Sequence, residues 1–333
     1  MKVAVTGASG FLGGHLSEAL AESGYEVVAL VRRSSDLSVL SPLGVELRYI
    51  DLATGEGLSE SLRGADVVVH LAAYYTFHGK WPLYKKINVD GTKAMVEAAV
   101  RNKIRHFLYC STTEVIGPVR NPPADELSPP NPQYEYGKSK LMAEGIVRDY
   151  CGGRDGVDFT ILRPSGIYGP RNLDDVSYWT ITSFAKKSLP TRFIVGSGKN
   201  LIQFVHVKDV VQGFLLAIAK PDVSSGETYI ISDERAYTYE EVYSILSELC
   251  NREPPKLHLP KSISAALVLP VEAFNRITGR ESFLYHLSTI QSVTQDRSYS
   301  IEKAKSELGY RPKHDLRSGL RETVDWYAKN GYI

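Results

Sequence analysis

The chain has 333 residues, of which 43% are hydrophobic and 23% are charged, and its formal net charge is +1. This composition is typical of a globular protein with room for a large core and two packed parts. The balanced charge gives no basic footprint for nucleic acid, and no apolar run reaches the length of a membrane span. Three dispersed cysteines, in no metal-binding spacing, and the lack of a signal segment predict a cytoplasmic protein without a metal site.

The first half of the chain alternates strand and helix patterns. Apolar strand patterns occur at "KVAVTG", "YEVVALV", "VELRYI", "DVVVHLAA", "HFLYCS" and "DFTILRP". Helical patterns cover residues 11–23, 83–102 and 133–150. This alternation predicts an α/β fold with a doubly wound parallel sheet of the Rossmann type. Ligands of such sheets bind at the carboxyl ends of the strands.

The second half of the chain is less regular. Residues 1–169 are predicted to form an NAD(P)-binding Rossmann domain, to which residues 201–222 return. Residues 170–333, where "RFIVG", "FVHV" and "TYII" mix with helices and loops, are predicted to form mainly a smaller α/β substrate-binding domain. The apolar stretch 262–277 is predicted to be a buried helix broken near Pro270, with contact to a membrane surface or to an apolar substrate as alternatives.

A glycine-rich loop, "TGASGFLG", lies between the first strand and the first helix. Gly7, Gly10 and Gly13 allow a tight turn and let backbone N–H groups approach a pyrophosphate at the helix N-terminus. The loop is therefore predicted to bind a dinucleotide through Gly7, Ser9, Gly10, Phe11, Leu12 and Gly13. The alternative is a glycine turn that binds nothing.

The end of the second strand bears on the choice of cofactor. An acidic residue there would accept hydrogen bonds from the ribose hydroxyls of NAD, but this chain has Arg32 and Arg33 after Val31. Guanidinium groups suit a 2′-phosphate, so the sequence predicts NADP, with NAD as a possible cofactor. The alternative is two solvated surface arginines. Asp51, after the third strand, is a plausible partner for the adenine edge.

The stretch "YEYGKSK" holds two overlapping Tyr-x-x-x-Lys pairs, each on one face of a predicted helix. The face of Tyr136 and Lys140 is the more apolar and is predicted to pack on the sheet, near the strand ends. The face of Tyr134 and Lys138 is predicted to point toward solvent. Burying an ammonium group costs free energy, because the group loses its hydration. A buried lysine beside a tyrosine therefore indicates a functional role for the pair.

These motifs together resemble the extended short-chain dehydrogenase/reductase family, also called the NAD-dependent epimerase/dehydratase family. The resemblance rests on "TGASGFLG", "HLAA", "STTEVIG", "YGKSK" and "LRPSGIYGPRN" and covers nearly the whole chain. It implies that Tyr136 is the acid/base, that Lys140 binds the nicotinamide ribose and lowers the tyrosine pKa, and that Thr112 binds the reacting oxygen. It implies further cofactor contacts from Leu52, Leu71, Ala72, Ala73, Pro164 and Ile167. It also implies a homodimer, formed through the helices at 83–102 and 133–150.

Two reactions compete within this resemblance. One is net hydride exchange with a secondary alcohol or ketone, as in the 3β-hydroxysteroid dehydrogenases and dihydroflavonol-type reductases. The other is epimerisation or dehydration of a nucleotide sugar without net redox. Thr113 stands where sugar dehydratases carry an aspartate, and a threonine is a poor general acid, which disfavours dehydration. Glu114 is either a second base or a polar wall of the pocket.

The segments around the predicted pocket favour net hydride exchange. The stretch Leu201–Gln203 lacks the arginine with which nucleotide-sugar enzymes grip the substrate diphosphate, although Arg171 or Arg192 could replace it. The aromatic segment "HLAAYYTFHGKW" suits a flat or hydrophobic small-molecule substrate, although Tyr74, His78 and Trp81 could equally pack within their own loop. A third interpretation is a non-catalytic NADP-binding regulator, which the intact Thr112, Tyr136 and Lys140 disfavour.

Overall fold

The structure is a computed structural model that describes residues 1–76, 79–151, 157–173, 176–278 and 286–333. His78 of the aromatic segment lies outside these ranges. The strands are β1 (Lys2–Thr6), β2 (Glu26–Val31), β3 (Glu46–Tyr49), β4 (Val67–His70), β5 (His106–Cys110), β6 (Asp158–Pro164), β7 (Gly166–Tyr168), β8 (Phe193–Val195), β9 (Leu201–Ile202), β10 (Phe204–His206), β11 (Glu227–Ile231), β12 (Tyr237–Thr238) and β13 (Leu257–Leu259).

The helices connect these strands on both sides of the sheet. They are α1 (Phe11–Glu22), α2 (Leu58–Ser61), α3 (Trp81–Tyr84), α4 (Gly91–Arg101), α5 (Glu135–Cys151), α6 (Val176–Ala185), α7 (Val207–Ala219), α8 (Pro221–Ser224), α9 (Tyr239–Leu249), α10 (Lys261–Thr278), α11 (Leu287–Val293) and α12 (Leu316–Lys329). A π-helical segment, Lys85–Asp90, joins α3 to α4, and a second one spans Ala304–Leu308. The helix predicted at residues 83–102 is therefore continuous, but its first part has the wider turns of a π-helix.

Seven parallel strands form the central sheet in the order β3-β2-β1-β4-β5-β6-β11. This confirms the predicted Rossmann-type sheet. The stretch "TYII", which the sequence analysis placed in the smaller part, lies on β11 and pairs with β6. Its side chains Tyr229, Ile230 and Ile231 are fully buried, as expected for a continuous apolar run in a parallel sheet covered on both faces.

Each face of the sheet has its own apolar core. Leu16 of α1 and Phe214 of α7 are buried against one face. Met95 of α4 and Val147 of α5 are buried against the other. Helix α7 contacts α1, β5, β6 and β11, so the segment after β10 packs on the central sheet. The helices fix the sheet on both sides and leave the carboxyl ends of the strands open for a ligand.

A third apolar cluster lies in the C-terminal half of the chain. It joins α6, α9 and α12 through Phe184, Leu246, Leu320 and Tyr327. A smaller substrate-binding domain made mainly of residues 170–333 stays a prediction, with the correction that β11 belongs to the central sheet.

Helix α10 differs from the prediction of a buried, broken helix. It continues through Pro270, and Leu267, Phe274 and Ile277 are 60%, 55% and 85% exposed. A proline removes one intrahelical hydrogen bond, and an exposed helix tolerates this because water can bind the freed carbonyl. Within the described ranges, no helix combines the length and the apolar character that a membrane span requires.

Candidate active site

Two neighbouring cavities lie at the carboxyl edge of the central sheet. The first, of about 420 Å³, lies over the ends of β1, β2, β3 and β4. The second, of about 240 Å³, lies over the ends of β5 and β6. Tyr74 lines the first cavity and Tyr75 lines the second, so consecutive residues after β4 separate the two. This is the edge where a doubly wound sheet binds its ligands.

The glycine loop has the geometry of a pyrophosphate cradle. Gly7 has a φ of +66°, which favours glycine, and Gly10 stands at the N-terminus of α1. A Cβ atom at Gly13 would lie 2.0 Å from the carbonyl oxygen of Gly7, so only glycine lets α1 pack this closely on the loop. The residues present therefore fit a dinucleotide.

Most predicted cofactor-binding residues surround the 420 Å³ cavity. Its lining includes Gly7, Ser9, Gly10, Arg32, Asp51, Leu52, Leu71, Ala72 and Ala73. Of the other predicted residues in the described chain, Pro164 and Ile167 line the 240 Å³ cavity. Phe11, Leu12, Gly13 and Arg33 lie outside both linings, and Gly13 acts through packing.

The two arginines after β2 differ in position. Arg32 and Ser35 line the cavity, and the Ser35 hydroxyl accepts a hydrogen bond of 3.1 Å from the Arg32 backbone N–H. Arg33 turns away, with its guanidinium 5.2 Å above the ring of Tyr49 and its Nε 3.6 Å from Glu56. Any selectivity for a 2′-phosphate should therefore depend on Arg32 more than on Arg33.

The structure brings three of the four predicted catalytic residues together at the 240 Å³ cavity, and the fourth, Lys140, lies outside both cavity linings. Thr112, Glu114 and Tyr136 line the 240 Å³ cavity. The Thr112 hydroxyl accepts a hydrogen bond of 3.2 Å from the backbone N–H of Glu114. Because that bond uses an acceptor position, the hydroxyl hydrogen of Thr112 remains available for a substrate oxygen. The ring of Tyr136 meets that of Tyr75 edge to face at 4.8 Å.

The two Tyr-x-x-x-Lys pairs occupy different surroundings. Lys140 is only 2% exposed and lies 4.2 Å from the centre of the Tyr109 ring, whereas Lys138 is exposed and pairs with Glu135. Tyr134 precedes α5 and is half-buried, contrary to the predicted solvent-facing position. Its hydroxyl donates to the Ser288 carbonyl because α11 packs over it.

A network that the sequence analysis missed holds Tyr136 in place. The Asn88 side-chain amide donates to Ser139 Oγ at 2.9 Å and to the Tyr74 carbonyl at 3.0 Å, and it accepts from the Tyr74 N–H. Ser139 donates in turn to the Tyr136 carbonyl. Asn88 thus ties α5 to the segment between the two cavities. Its position within an amphipathic helical pattern gave no sign of this role.

A buried ion pair fixes α5 to the sheet. Arg163 on β6 donates to both Glu144 oxygens, at 2.8 and 2.7 Å, and the Ser111 hydroxyl donates to the same carboxylate. All three side chains are buried. A bidentate pair inside a protein is strongly directional. It therefore sets the position of Lys140, one helical turn before Glu144.

Burial lowers the pKa of Lys140 from 10.5 to about 8. The unfolded chain therefore binds more protons than the folded one between about pH 8 and pH 10.5. The contribution of Lys140 to stability should rise with pH across this window, because the folded state has already lost the proton that the unfolded state still binds, so that folding releases a proton. We expect Lys140→Met to remove this contribution. The difference in the free energy of unfolding between the variant and the wild type, measured by urea titration from pH 7 to 10.5, should shift steadily in favour of the wild type. A difference that does not change with pH would contradict the assignment.

The far wall of the 240 Å³ cavity carries a buried cation that the sequence analysis did not identify. Arg297 is 4% exposed and donates from Nη1 to the Glu114 carboxylate at 2.5 Å. Burial opposes its charge, but Glu114 and the facing tyrosines Tyr134, Tyr239 and Tyr299 raise the pKa of Arg297 above its usual value. The guanidinium therefore stays charged.

The position of Arg297 changes an expectation about the substrate. The sequence analysis named only Arg171 and Arg192 as replacements for the arginine missing at Leu201–Gln203, yet Arg297 reaches the cavity from a later segment. Arg171 instead forms an ion pair with Glu18. Arg192 is not among the residues that line the 240 Å³ cavity. Sequence spacing could not show this, because 183 residues separate Arg297 from Glu114.

Comparisons with known proteins agree with this geometry. The model of the NAD dependent epimerase/dehydratase family matches residues 3–232. Short-chain dehydrogenase/reductase family 42E member 1 of Homo sapiens is 31% identical, over 99% of this chain and 88% of that protein. Sterol-4-alpha-carboxylate 3-dehydrogenase, decarboxylating, of Bos taurus is 28% identical, over 96% and 90%. The crystal structure of UDP-glucuronic acid 4-epimerase from Bacillus cereus in complex with NAD has a TM-score of 0.80 at 25% identity and covers 100% of both chains.

Proposed function

The chain belongs to the NAD-dependent epimerase/dehydratase family of extended short-chain dehydrogenases/reductases, and from this premise we propose that it is an NADP(H)-dependent oxidoreductase of a secondary alcohol or ketone. The observation that carries the proposal is the meeting of Thr112, Tyr136, Pro164 and Ile167 around one cavity, with Lys140 buried one helical turn after Tyr136 on α5. The sterol dehydrogenase among the relatives supports net hydride exchange.

The side chains at the cavity have separate roles in this proposal. The cofactor, when bound, accepts or supplies the hydride. Tyr136 takes the proton from the alcohol oxygen, or returns it to the carbonyl oxygen. Thr112 donates a hydrogen bond to that oxygen. The charge of Lys140 favours the ionised phenol of Tyr136 at neutral pH. Asn88 and the Glu144–Arg163 pair keep α5 in the position that this proton transfer requires.

We also propose that Arg297 receives an acidic group of the substrate. Its Nη1 is used by Glu114, whereas Nε and Nη2 are buried and make no hydrogen bond of ordinary geometry in the described part of the chain, although the hydroxyls of Tyr134 and Tyr299 lie beside the guanidinium. Nε and Nη2 lie on the same edge of the guanidinium group. Arginines use this edge to bind both oxygens of a carboxylate. A buried donor without a partner is costly, so a substrate anion at this edge would stabilise the site. A hydroxy acid fits both Arg297 and Tyr136.

NADP selectivity is the part of this proposal that a binding measurement tests most simply. We expect Arg32→Ala to weaken NADPH binding by roughly 10–100-fold, because one charge-assisted hydrogen bond contributes about 1.5–3 kcal/mol. NADH has no 2′-phosphate, so its binding should change little. Arg33→Ala is the matched control and should have the smaller effect on NADPH. Isothermal titration of each variant with both cofactors tests this, and equal losses for NADPH and NADH would contradict NADP selectivity.

The alternative function is epimerisation, or a related internal redox reaction, of a nucleotide sugar. It is supported by the cationic Arg297 and by the fold shared with a UDP-glucuronic acid 4-epimerase that binds NAD. Thr113 in place of a dehydratase aspartate still disfavours dehydration. A non-catalytic NADP-binding regulator is the least favoured alternative, because Thr112 and Tyr136, which we propose as catalytic, line one cavity.

A homodimer and a cytoplasmic location complete the proposal. Helices α4 and α5 pack side by side, and Leu83, Met142 and Tyr150 on or near them are 43%, 45% and 40% exposed. Apolar side chains on two adjacent helices are suited to a four-helix interface between two copies. Sedimentation analysis of the protein with Met142→Lys would test whether this surface forms the dimer.

A further inference from the structure

A cluster of histidine and carboxylate side chains lies away from the active-site cavities. It is formed by His206 at the end of β10, Asp209 in the first turn of α7, His314 before α12 and Glu322 on α12. The rings of His206 and His314 stack with their centres 4.0 Å apart. The cluster borders a cavity of about 530 Å³ that His314, Asp209 and Lys208 line. The proposed oxidoreductase reaction uses none of these groups.

We propose that this cluster is a binding site for a zinc-like divalent cation, with His206, His314 and Glu322 as its protein ligands. The Nε2 atoms of His206 and His314 each lie 3.8 Å from the same Glu322 oxygen, Oε2. In a tetrahedral zinc site with bonds of about 2.0–2.1 Å, ligand atoms lie roughly 3.4 Å apart. The ligand atoms of His206 and His314 lie within 4.8 Å of one another, but their rings are stacked. The imidazoles would therefore have to turn as well as move closer for both Nε2 lone pairs to point at one ion, with a fourth position open to water.

The hydrogen bonds around His314 prepare its Nε2 for a metal. The Asp209 carboxylate accepts from His314 Nδ1 at 2.9 Å. A carboxylate only accepts, so Nδ1 carries the hydrogen, and Nε2 of the neutral ring carries the lone pair. The backbone N–H groups of Lys313 and His314 also donate to Asp209 and fix the loop. This carboxylate–histidine arrangement is the one that orients histidine ligands in metal sites.

The state of His206 is the independent observation that points to a ligand. Its side chain is buried, and neither ring nitrogen has a hydrogen-bond partner among the residues that the structure describes. A buried imidazole without a partner is costly, and a cation on Nε2 would satisfy one of the two nitrogens. Lys208 donates to Glu322 Oε1 at 2.6 Å and leaves Oε2 for the ion.

The sequence predicted no metal site, because the ligands are spread over more than 100 residues and match no metal-binding spacing. The bound ion would join the β10–α7 connection to α12, two elements that lie far apart in the chain. In this proposal the cation links the C-terminal helix to the central unit, and a water completes the coordination that a fourth protein ligand supplies in closed structural zinc sites.

Zinc titration of the metal-free full-length protein, without a histidine tag, tests the proposal. We expect one Zn²⁺ per chain, a higher Tm with Zn²⁺, and Co²⁺ absorption bands of a four-coordinate site. His314→Ala and Glu322→Gln should each weaken Zn²⁺ binding by at least about 100-fold, because each removes a direct ligand. Both positions are partly exposed, and thermal melts without metal would show that the variants fold.

The matched control is His258→Ala. His258 Nε2 lies 3.7 Å from Glu240, a similar histidine–carboxylate pair with a single imidazole. This variant should bind Zn²⁺ as the wild type does. Failure of the wild type to bind stoichiometric Zn²⁺, or equal affinity in wild type and folded His314→Ala, would overturn the proposal.

Discussion

Replacement of Tyr136 by phenylalanine should lower kcat by roughly 10²–10⁴-fold while leaving cofactor affinity nearly unchanged. The substitution removes the only group that we assign to proton transfer, and general acid–base catalysis contributes roughly 10²–10⁴-fold. The ring, which packs edge to face on Tyr75, is retained, so the fold should be preserved. Absorbance at 340 nm measures turnover, and titration with NADPH measures binding.

Tyr134→Phe is the matched control for this variant. Its hydroxyl donates to the Ser288 carbonyl, so the variant should lose some stability but keep turnover within a few-fold of the wild type. The opposite result, with Tyr134→Phe inactive and Tyr136→Phe active, would mean that the other Tyr-x-x-x-Lys pair carries the proton.

Replacement of Arg297 should discriminate between acidic and neutral substrates. We expect Arg297→Met to lower kcat/KM for a hydroxy acid by roughly 10²–10⁴-fold, because it removes two charge-assisted hydrogen bonds of about 1.5–3 kcal/mol each. The methyl ester of the same compound should lose much less. The double variant Arg297→Met/Glu114→Gln should show the same pattern, and it avoids leaving the Glu114 carboxylate without its partner.

Arg192→Met is the control for the arginine prediction, since Arg192 was one of the two arginines that the sequence analysis named as a possible partner of a substrate anion. It should leave the ratio of kcat/KM for acid and ester unchanged. If Arg297→Met lowers kcat/KM equally for the acid and the ester, Arg297 positions Glu114 and does not bind a substrate anion.

The fold and much of the cofactor site follow from local sequence patterns. Runs such as "KVAVTG" and "HFLYCS" are buried on both faces of a parallel sheet, and the glycine spacing is fixed by the close approach of α1 to its loop. The buried position of Lys140 also follows from helical periodicity. These features depend on residues that are near one another in the chain, which is why the pattern predicts them.

The missed features depend on contacts between distant segments. Arg297 meets Glu114 across 183 residues, and Asn88 meets Ser139 across 51. The local sequence around Arg297 resembles that of an ordinary surface residue, and the sequence around Asn88 resembles that of an ordinary helix. Neither pattern therefore indicates a role in the site. The prediction that α10 is buried was wrong for a related reason. An apolar stripe on a helix does not show whether another element of the fold covers that helix.

The most direct test of net hydride exchange is to denature the purified protein and identify the released nucleotide by mass spectrometry. An enzyme that exchanges hydride with a secondary alcohol must release its cofactor in every cycle. We therefore expect far less than one nucleotide per chain, together with reversible binding of added NADPH. About one NAD per chain, retained through purification, would contradict this account and favour internal redox chemistry on a nucleotide sugar.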